Sequence, residues 1–165
     1  MSSPAIPFAA TMVGFLQSPV AIQLSTATPE LRPTSTRGFG CKIEEDLQTL
    51  RLSVLQSQAE RFLKALETGD RVAINFGHVV DFRSVQVKGS RLEVRAADAA
   101  EKLAAKTYLD ELRKMMTRVG VSEDASRGIF HSGSVVIVRV RADELYDQTP
   151  GPGAGAKLET TWQRL

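Results

Sequence analysis

Six short stretches of this chain read as strands, most of them by alternation of apolar and polar residues, and most are joined by turns short enough for hairpins. Val20, Ile22 and Leu24 alternate with Ala21, Gln23 and Ser25, the period of a strand with one buried face. Thr28, Pro29 and Glu30 mark a turn. The Thr- and Ser-rich residues 32–42 read as the returning strand. Glu44, Glu45 and Asp46 form the next turn, and Leu50, Leu52 and Val54 alternate with Arg51 and Ser53. Val72, Ile74 and Phe76 give a fourth strand. Val85 and Val87 give a fifth, which Gly89 breaks and Leu92 and Val94 resume. Residues 135–140 are apolar at nearly every position and form a last strand.

Helical spacing occupies the gaps. Residues 5–17 suit a short amphipathic helix after Pro4. Ser57 followed by Glu60 has the spacing of a capping box. Behind it Ala59, Phe62, Leu63 and Leu66 share a face, and Gly69 ends the helix. The longest pattern covers residues 98–119, with Leu103, Leu109, Leu112, Met116 and Val119 as its expected buried stripe and Gly120 as its stop. Residues 122–133 form a looser stretch. Strands joined mainly by hairpins, with helices between them, predict a closed or partly closed antiparallel β fold with helices over its ends. The expected class is α+β, mainly β, in a single domain over residues 1–165. Residues 1–17 are an N-terminal helix or arm, and 149–165 a Pro/Gly-rich flexible or turn-forming tail.

Composition narrows the function classes. Basic and acidic residues number 21 and 19, for a net charge of +2, too even to favour nucleic acid or an anionic membrane. No apolar run approaches the roughly 20 residues of a membrane span. The start lacks the basic segment and cleavage site of a signal peptide, so the cytoplasm is the expected location. Cys41 is the single cysteine, which excludes an internal disulfide and reads as a small buried thiol. His78 and His131 lack partners at metal-ligand spacing, so no metal site is expected.

Three features have the chemistry of an anion or cofactor site. Arg32 and Arg37 flank one strand. A separation of five puts them on opposite faces of an ideal strand, unless a twist or bulge near Gly38 turns both toward one anion. Two solvated arginines are the plain alternative. The helix start at Ser57 offers N–H groups and the positive end of a dipole, with capping alone as the commoner use. Ser53 adds a hydroxyl just upstream. Ser84, Gln86 and Lys88, preceded by Arg83, form a polar strand face. Such a face usually meets water, but an amide donor and acceptor also suits the edge of a heterocycle.

In their order and spacing, Arg32-Pro33-Thr34-Ser35-Thr36-Arg37-Gly38, Ser53-Val54-Leu55-Gln56-Ser57 and Arg83-Ser84-Val85-Gln86-Val87-Lys88-Gly89 resemble the pyridoxamine 5′-phosphate oxidase-like family, the FMN-binding split barrels. The resemblance covers residues 18–95 and, more weakly, residues 147–153. It implies a six-stranded antiparallel split β-barrel with flanking helices, working as a homodimer with FMN in a groove between subunits. It implies cofactor contacts from Arg32, Thr34, Arg37, Ser53, Gln56, Ser57, Gln58, Arg83, Ser84 and Gln86, and a small-molecule substrate beside the ring. Gln58 and Ala59 stand where the oxidases carry two basic residues that grip the phosphate. Each missing charge-assisted contact is worth about 1.5–3 kcal/mol, so FMN is expected to bind about a hundredfold or more weakly unless Arg61 or Arg37 compensates. The substrate-binding set of the true oxidases is also absent near the C terminus. The implied function is an FMN-dependent oxidoreductase of unknown substrate. The alternative is a non-catalytic flavin or haem carrier or sensor on the same barrel.

Overall fold

A computed structural model describes residues 7–129 and 133–159. Helix α1 (Ala10–Gln17) precedes strands β1 (Ala21–Ala27), β2 (Pro33–Ile43) and β3 (Thr49–Leu55). Helix α2 (Gln56–Thr68) leads to β4 (Arg71–Gly77) and β5 (Ser84–Ala96). Helices α3 (Ala99–Arg118) and α4 (Glu123–Ile129) precede β6 (Val135–Asp147) and the two-residue β7 (Lys157–Leu158). Every pairing is antiparallel, and β6 pairs with both β3 and β5, which closes a barrel in the order β1-β2-β3-β6-β5-β4. Closure removes the exposed edges that an open sheet would leave. The six-stranded barrel and its flanking helices match the expectation from the sequence.

The inward residues of the alternating pattern fill the barrel. Leu24, Leu50, Leu52, Val54, Ile74, Phe76, Val85, Val87, Val138 and Val140 are fully buried. Each such side chain contributes about 1.5–3 kcal/mol of transfer free energy. Geometry requires a glycine at two places that shape the barrel wall. A Cβ on Gly89 would lie 2.2 Å from the Arg141 carbonyl oxygen, because β5 and β6 approach closely there. Gly89 therefore does not break the strand as the sequence suggested. It permits one 13-residue β5 with a register shift beside it. Gly40, at φ +132°, lies in a bulge of β2 between Gly38 and Cys41.

That bulge changes the phase of β2. Before it the exposed residues are Pro33, Ser35 and Arg37; after it the exposed residue is Lys42, paired in register with Arg51. The strand begins at Pro33, so Arg32 lies in the preceding turn, where its carbonyl accepts from the Thr28 N–H at 3.0 Å. The bulge that was to unite Arg32 with Arg37 exists, but it lies downstream of both.

Three helical expectations change. Ser57 does not cap α2. The strand runs straight into the helix, Leu55 holds the N-cap position and gives no side-chain hydrogen bond, and the Gln56 N–H donates to the Ser134 carbonyl at 2.9 Å. The full capping box belongs to α3, between Asp98 and Glu101. The buried face of α3 is Ala105, Tyr108 and Leu112, whereas Leu103 is 65% and Val119 45% exposed. Tyr108 sets that face, since its hydroxyl donates to the Val20 carbonyl beneath it. Finally, residues 5 and 6 lie outside the described residues, and α1 begins at Ala10 with Met12, Phe15 and Leu16 buried.

The Pro/Gly-rich tail is turn-forming, as far as it is described. It folds back so that Gly155 donates to the Asp147 carbonyl at 2.7 Å and β7 pairs with the end of β6. Cys41 packs at the edge of the core, and burial pushes its thiol up. No described helix is long and apolar enough to cross a membrane.

Candidate functional site

Two adjoining clefts open on the outside of the barrel, where β1, β2 and β4 meet the start of α2. One, of about 680 Å³, is lined by Ser25, Pro33, Thr34, Ser35, Ser57, Gln58, Glu60 and Arg61. The other, of about 570 Å³, is lined by Ala21, Ile22, Gln23, Ser35, Thr36, Arg37, Gln58, Asn75 and Gly77. Ser35 and Gln58 belong to both, so the clefts form one continuous surface.

Register builds this surface. Arg37 pairs with Gln23, Gln23 with Asn75, and Asn75 with Gln86, which places one polar row across β2, β1, β4 and β5. Gln23 donates to the Ser35 hydroxyl at 3.3 Å, and Asn75 to the Ser84 hydroxyl at 3.4 Å. At the other end of the surface the Thr36 hydroxyl donates to the Gln58 carbonyl at 3.4 Å, fixing the first turn of α2 against β2. Arg37 and Arg61 make no ion pair among the described residues. By contrast Arg51, Arg95 and Arg139 are all engaged by Glu44, Glu93 or Glu101.

Of the residues expected from the sequence, Thr34, Arg37, Ser57 and Gln58 meet in this surface. Ser84 and Gln86 lie beside Asn75 on its far side. Ser84 also donates to the Phe76 carbonyl at 3.1 Å. Four others lie elsewhere. Arg32 and Gln56 are exposed and line neither cleft. Arg83 is held by Asp81 at 2.8 Å and stacks over the Phe15 ring. Ser53 is buried on β3 under α3, in a separate cavity.

Five lining polar residues carry no contact role in the sequence reading: Gln23, Ser25, Ser35, Thr36 and Asn75. Period-two alternation marks Gln23, Ser25 and Asn75 as outward, but only the pairing of β1 with β2 and β4 brings them beside Arg37. Ala59 also gains an explanation. It is fully buried against the barrel, so its position on this helix cannot present a basic group to the cleft. Arg61, one turn on from Gln58, reaches the lining instead.

The donor set fits a phosphate-bearing cofactor. Arg61, without an ion pair among the described residues, lines one cleft with the hydroxyls of Thr34, Ser35 and Ser57, the Glu60 carboxylate and the N-terminal turn of a helix that has no side-chain cap, and Arg37 lines the adjoining cleft. The amides of Gln23 and Asn75 offer donors and acceptors at the other. Among the described residues no cluster of His, Cys, Asp and Glu has metal-site geometry. His78 is bound through Nδ1 to Asp81 at 2.9 Å in the β4–β5 loop and lines neither cleft; His131 lies outside the described residues.

No protein-family model matches the chain, and no curated protein matches it in sequence. Solved structures do match in shape. An F420 reductase superposes with a TM-score of 0.53 at 17% identity, covering 80% of this chain and 93% of its own. A protein of Lactobacillus delbrueckii described as a candidate pyridoxamine 5′-phosphate oxidase gives 0.53 at 16% identity, covering 88% and 99%. The HupZ protein of Group A Streptococcus gives 0.52 at 14% identity, covering 90% and 99%. With its closed six-stranded barrel and flanking helices, the chain has the split-barrel fold of the pyridoxamine 5′-phosphate oxidase-like proteins.

Proposed function

We propose that this protein binds FMN on the outer face of β1, β2 and β4 and acts as an FMN-dependent oxidoreductase. The observation that carries the reading is one continuous surface on which Arg61 and Ser57 line the start of α2, which has no side-chain cap, and Arg37 stands in the row of the Gln23 and Asn75 amides. Arg37, Arg61 and the hydroxyls of Thr34, Ser35 and Ser57 hold the phosphate. Gln23 and Asn75, with Gln86 beside them, hydrogen-bond the polar edge of the ring. The flavin, when bound, supplies the redox chemistry, and the protein contributes orientation and electrostatics. Glu60 is the one carboxylate that lines the clefts, in the cleft at the start of α2 and not in the one that holds the amide row, so the substrate is left to the ring's open face.

A homodimer belongs to the same reading. The clefts are open surfaces rather than enclosed pockets, and a second copy would cover them. Leu31, 84% exposed, and Phe82, 67% exposed, stand at hairpin tips as apolar groups for such a contact. Light scattering should return twice the chain mass; a monomer counts against a shared site.

The direct test is a visible absorption spectrum of purified protein, followed by titration with FMN. A shifted flavin spectrum and a raised melting temperature are expected. Arg37→Ala should weaken FMN binding about tenfold or more, the worth of one charge-assisted hydrogen bond. Protein that neither perturbs the FMN spectrum nor melts higher in its presence removes the reading. A flavin bleached by a nicotinamide donor and restored by an acceptor supports the enzyme; a bound flavin inert to both supports the carrier.

A further inference from the structure

Beneath the first two turns of α3 lies a cavity of about 710 Å³ that shares no residue with the α2 clefts. It exists because α3 meets the barrel only from Ala105 onward. Ala100, Leu103 and Ala104 stand away from the core, and the helix start is held by charge instead. Glu101 binds Arg95 at 2.7 Å and Arg51 at 3.4 Å. Under this bridge the walls are mostly apolar, with Ile137 and the Tyr108 ring among them. Gly40 keeps the floor open; a Cβ there would lie 3.8 Å from Tyr108 and 4.0 Å from the Ser53 hydroxyl oxygen.

Among the lining polar groups, Ser53, Lys42 and Thr107 make no side-chain hydrogen bond or ion pair among the described residues, and the buried Arg51 Nε makes no hydrogen bond. Ser53 is only 8% exposed, and its hydroxyl makes no hydrogen bond among the described residues. The oxygen itself is not sealed from solvent, so it stands open to a ligand in the cavity. At the mouth, Arg51 and Glu101 neutralise each other and Glu111 binds Lys114 at 2.6 Å. Lys42 is the one lining charge without an ion pair among the described residues. Lys42 pairs in register with Arg51, which puts it diagonally across from Ser53 on the neighbouring strand, within reach of a long side chain. An unpartnered donor on the floor and an unpaired cation at the rim of an apolar cavity have the arrangement of a ligand pocket.

We infer that this cavity binds a small amphipathic carboxylate, its apolar body under α3 and its carboxylate between the Ser53 hydroxyl and the Lys42 ammonium. The inference does not rest on flavin binding, and FMN-free protein suffices to test it.

The probe is decanoate, with decanol as its uncharged counterpart, each titrated calorimetrically into the full chain. Decanoate should bind at least tenfold more tightly than decanol. Lys42→Gln should weaken decanoate about tenfold and leave decanol unchanged. Ser53→Ala should weaken decanoate threefold to tenfold. Ala104→Trp, at an exposed helix position, should fill the cavity and abolish both. If that variant fails to fold by circular dichroism, Lys42→Gln decides alone. Failure of decanoate to bind the unaltered protein overturns the inference, as does equal binding by Lys42→Gln. Competition between decanoate and FMN also overturns it, by making the cavity part of the flavin site. A dimer that Ala104→Trp converts to monomer, with no decanoate bound, overturns it in favour of a subunit contact.

Discussion

Helices α2 and α3 begin in opposite ways. At α3 the chain satisfies its own helix start: the Glu101 N–H donates to Asp98 at 2.8 Å, and the Asp98 N–H to Glu101 at 3.0 Å. The Arg95 guanidinium then binds Glu101 through two nitrogens at 2.7 Å and holds its carboxyl down to about 2. The anion that a helix start favours is thus a protein side chain. At α2 there is no such carboxylate. Leu55 stands at the cap, Gln56, Ser57 and Gln58 fill the first turn, and Arg37 and Arg61 lie close by in the clefts. A helix start served by its own acids is structural. One left neutral beside two arginines suits an anion from outside.

Moving charge between the two starts gives the strongest break in this comparison. Ser57→Asp would give α2 the carboxylate that α3 has. Its dipole term should raise stability by about 0.3–1 kcal/mol. At the same time FMN affinity should fall about a hundredfold or more, because like charges in contact near a protein surface repel by about 4 kcal/mol. Thermal melting and FMN titration on the one variant read both signs. Loss of stability without loss of affinity would place the phosphate elsewhere.

The converse change at α3 should be smaller and purely structural. Asp98→Ala should cost about 1 kcal/mol, read as a melting point lower by about 2–4 °C, with FMN affinity unchanged. Acid sharpens the same point. Glu101 has its carboxyl lowered from 4.5 to about 2 in the fold, chiefly by the Arg95 hydrogen bonds. Its contribution is therefore complete above about pH 4.5 and is lost as pH falls from there toward about 2. The melting temperature of the unaltered protein should drop more across that window than that of Glu101→Gln, which has no proton to take up. The smallest effect is expected from Ser57→Ala. With no cap to lose, stability should stay within about 0.5 kcal/mol, while FMN affinity falls about threefold to tenfold.

Much of the barrel was legible because period-two alternation is a local signal. Five of the six strands that close the barrel are marked by their own apolar residues and the second by its Thr and Ser content, and the hairpin turns supply most of the order. The misreadings arose where a distant element overrides a local pattern. Ser57 and Glu60 have capping-box spacing, but β3 enters α2 without a loop, so Ser57 already lies inside the first turn. Leu103 has core spacing, but Tyr108 turns the helix so that Leu103 faces solvent. Gly89 looked like a break, but the close approach of β6 makes it a requirement of a continuous strand.

The candidate site was half legible for the same reason. Arg37 and Ser57 could be named, since a basic residue on a strand and a hydroxyl at a helix start carry their chemistry in their type. Gln23, Ser35 and Asn75 could not, because an outward polar residue is unremarkable until register sets it beside an arginine. Ser53 was drawn into that set by its place just upstream of α2, and the strand directs it under α3 instead. By itself the sequence determined which residues of β1, β3 and β4 face in and which face out, because burial of apolar surface follows local periodicity there. Which outward residues share a surface was decided only by the tertiary structure, through the register of β1 against β2 and β4, the bulge after Gly38, and the angle at which α3 leaves the barrel.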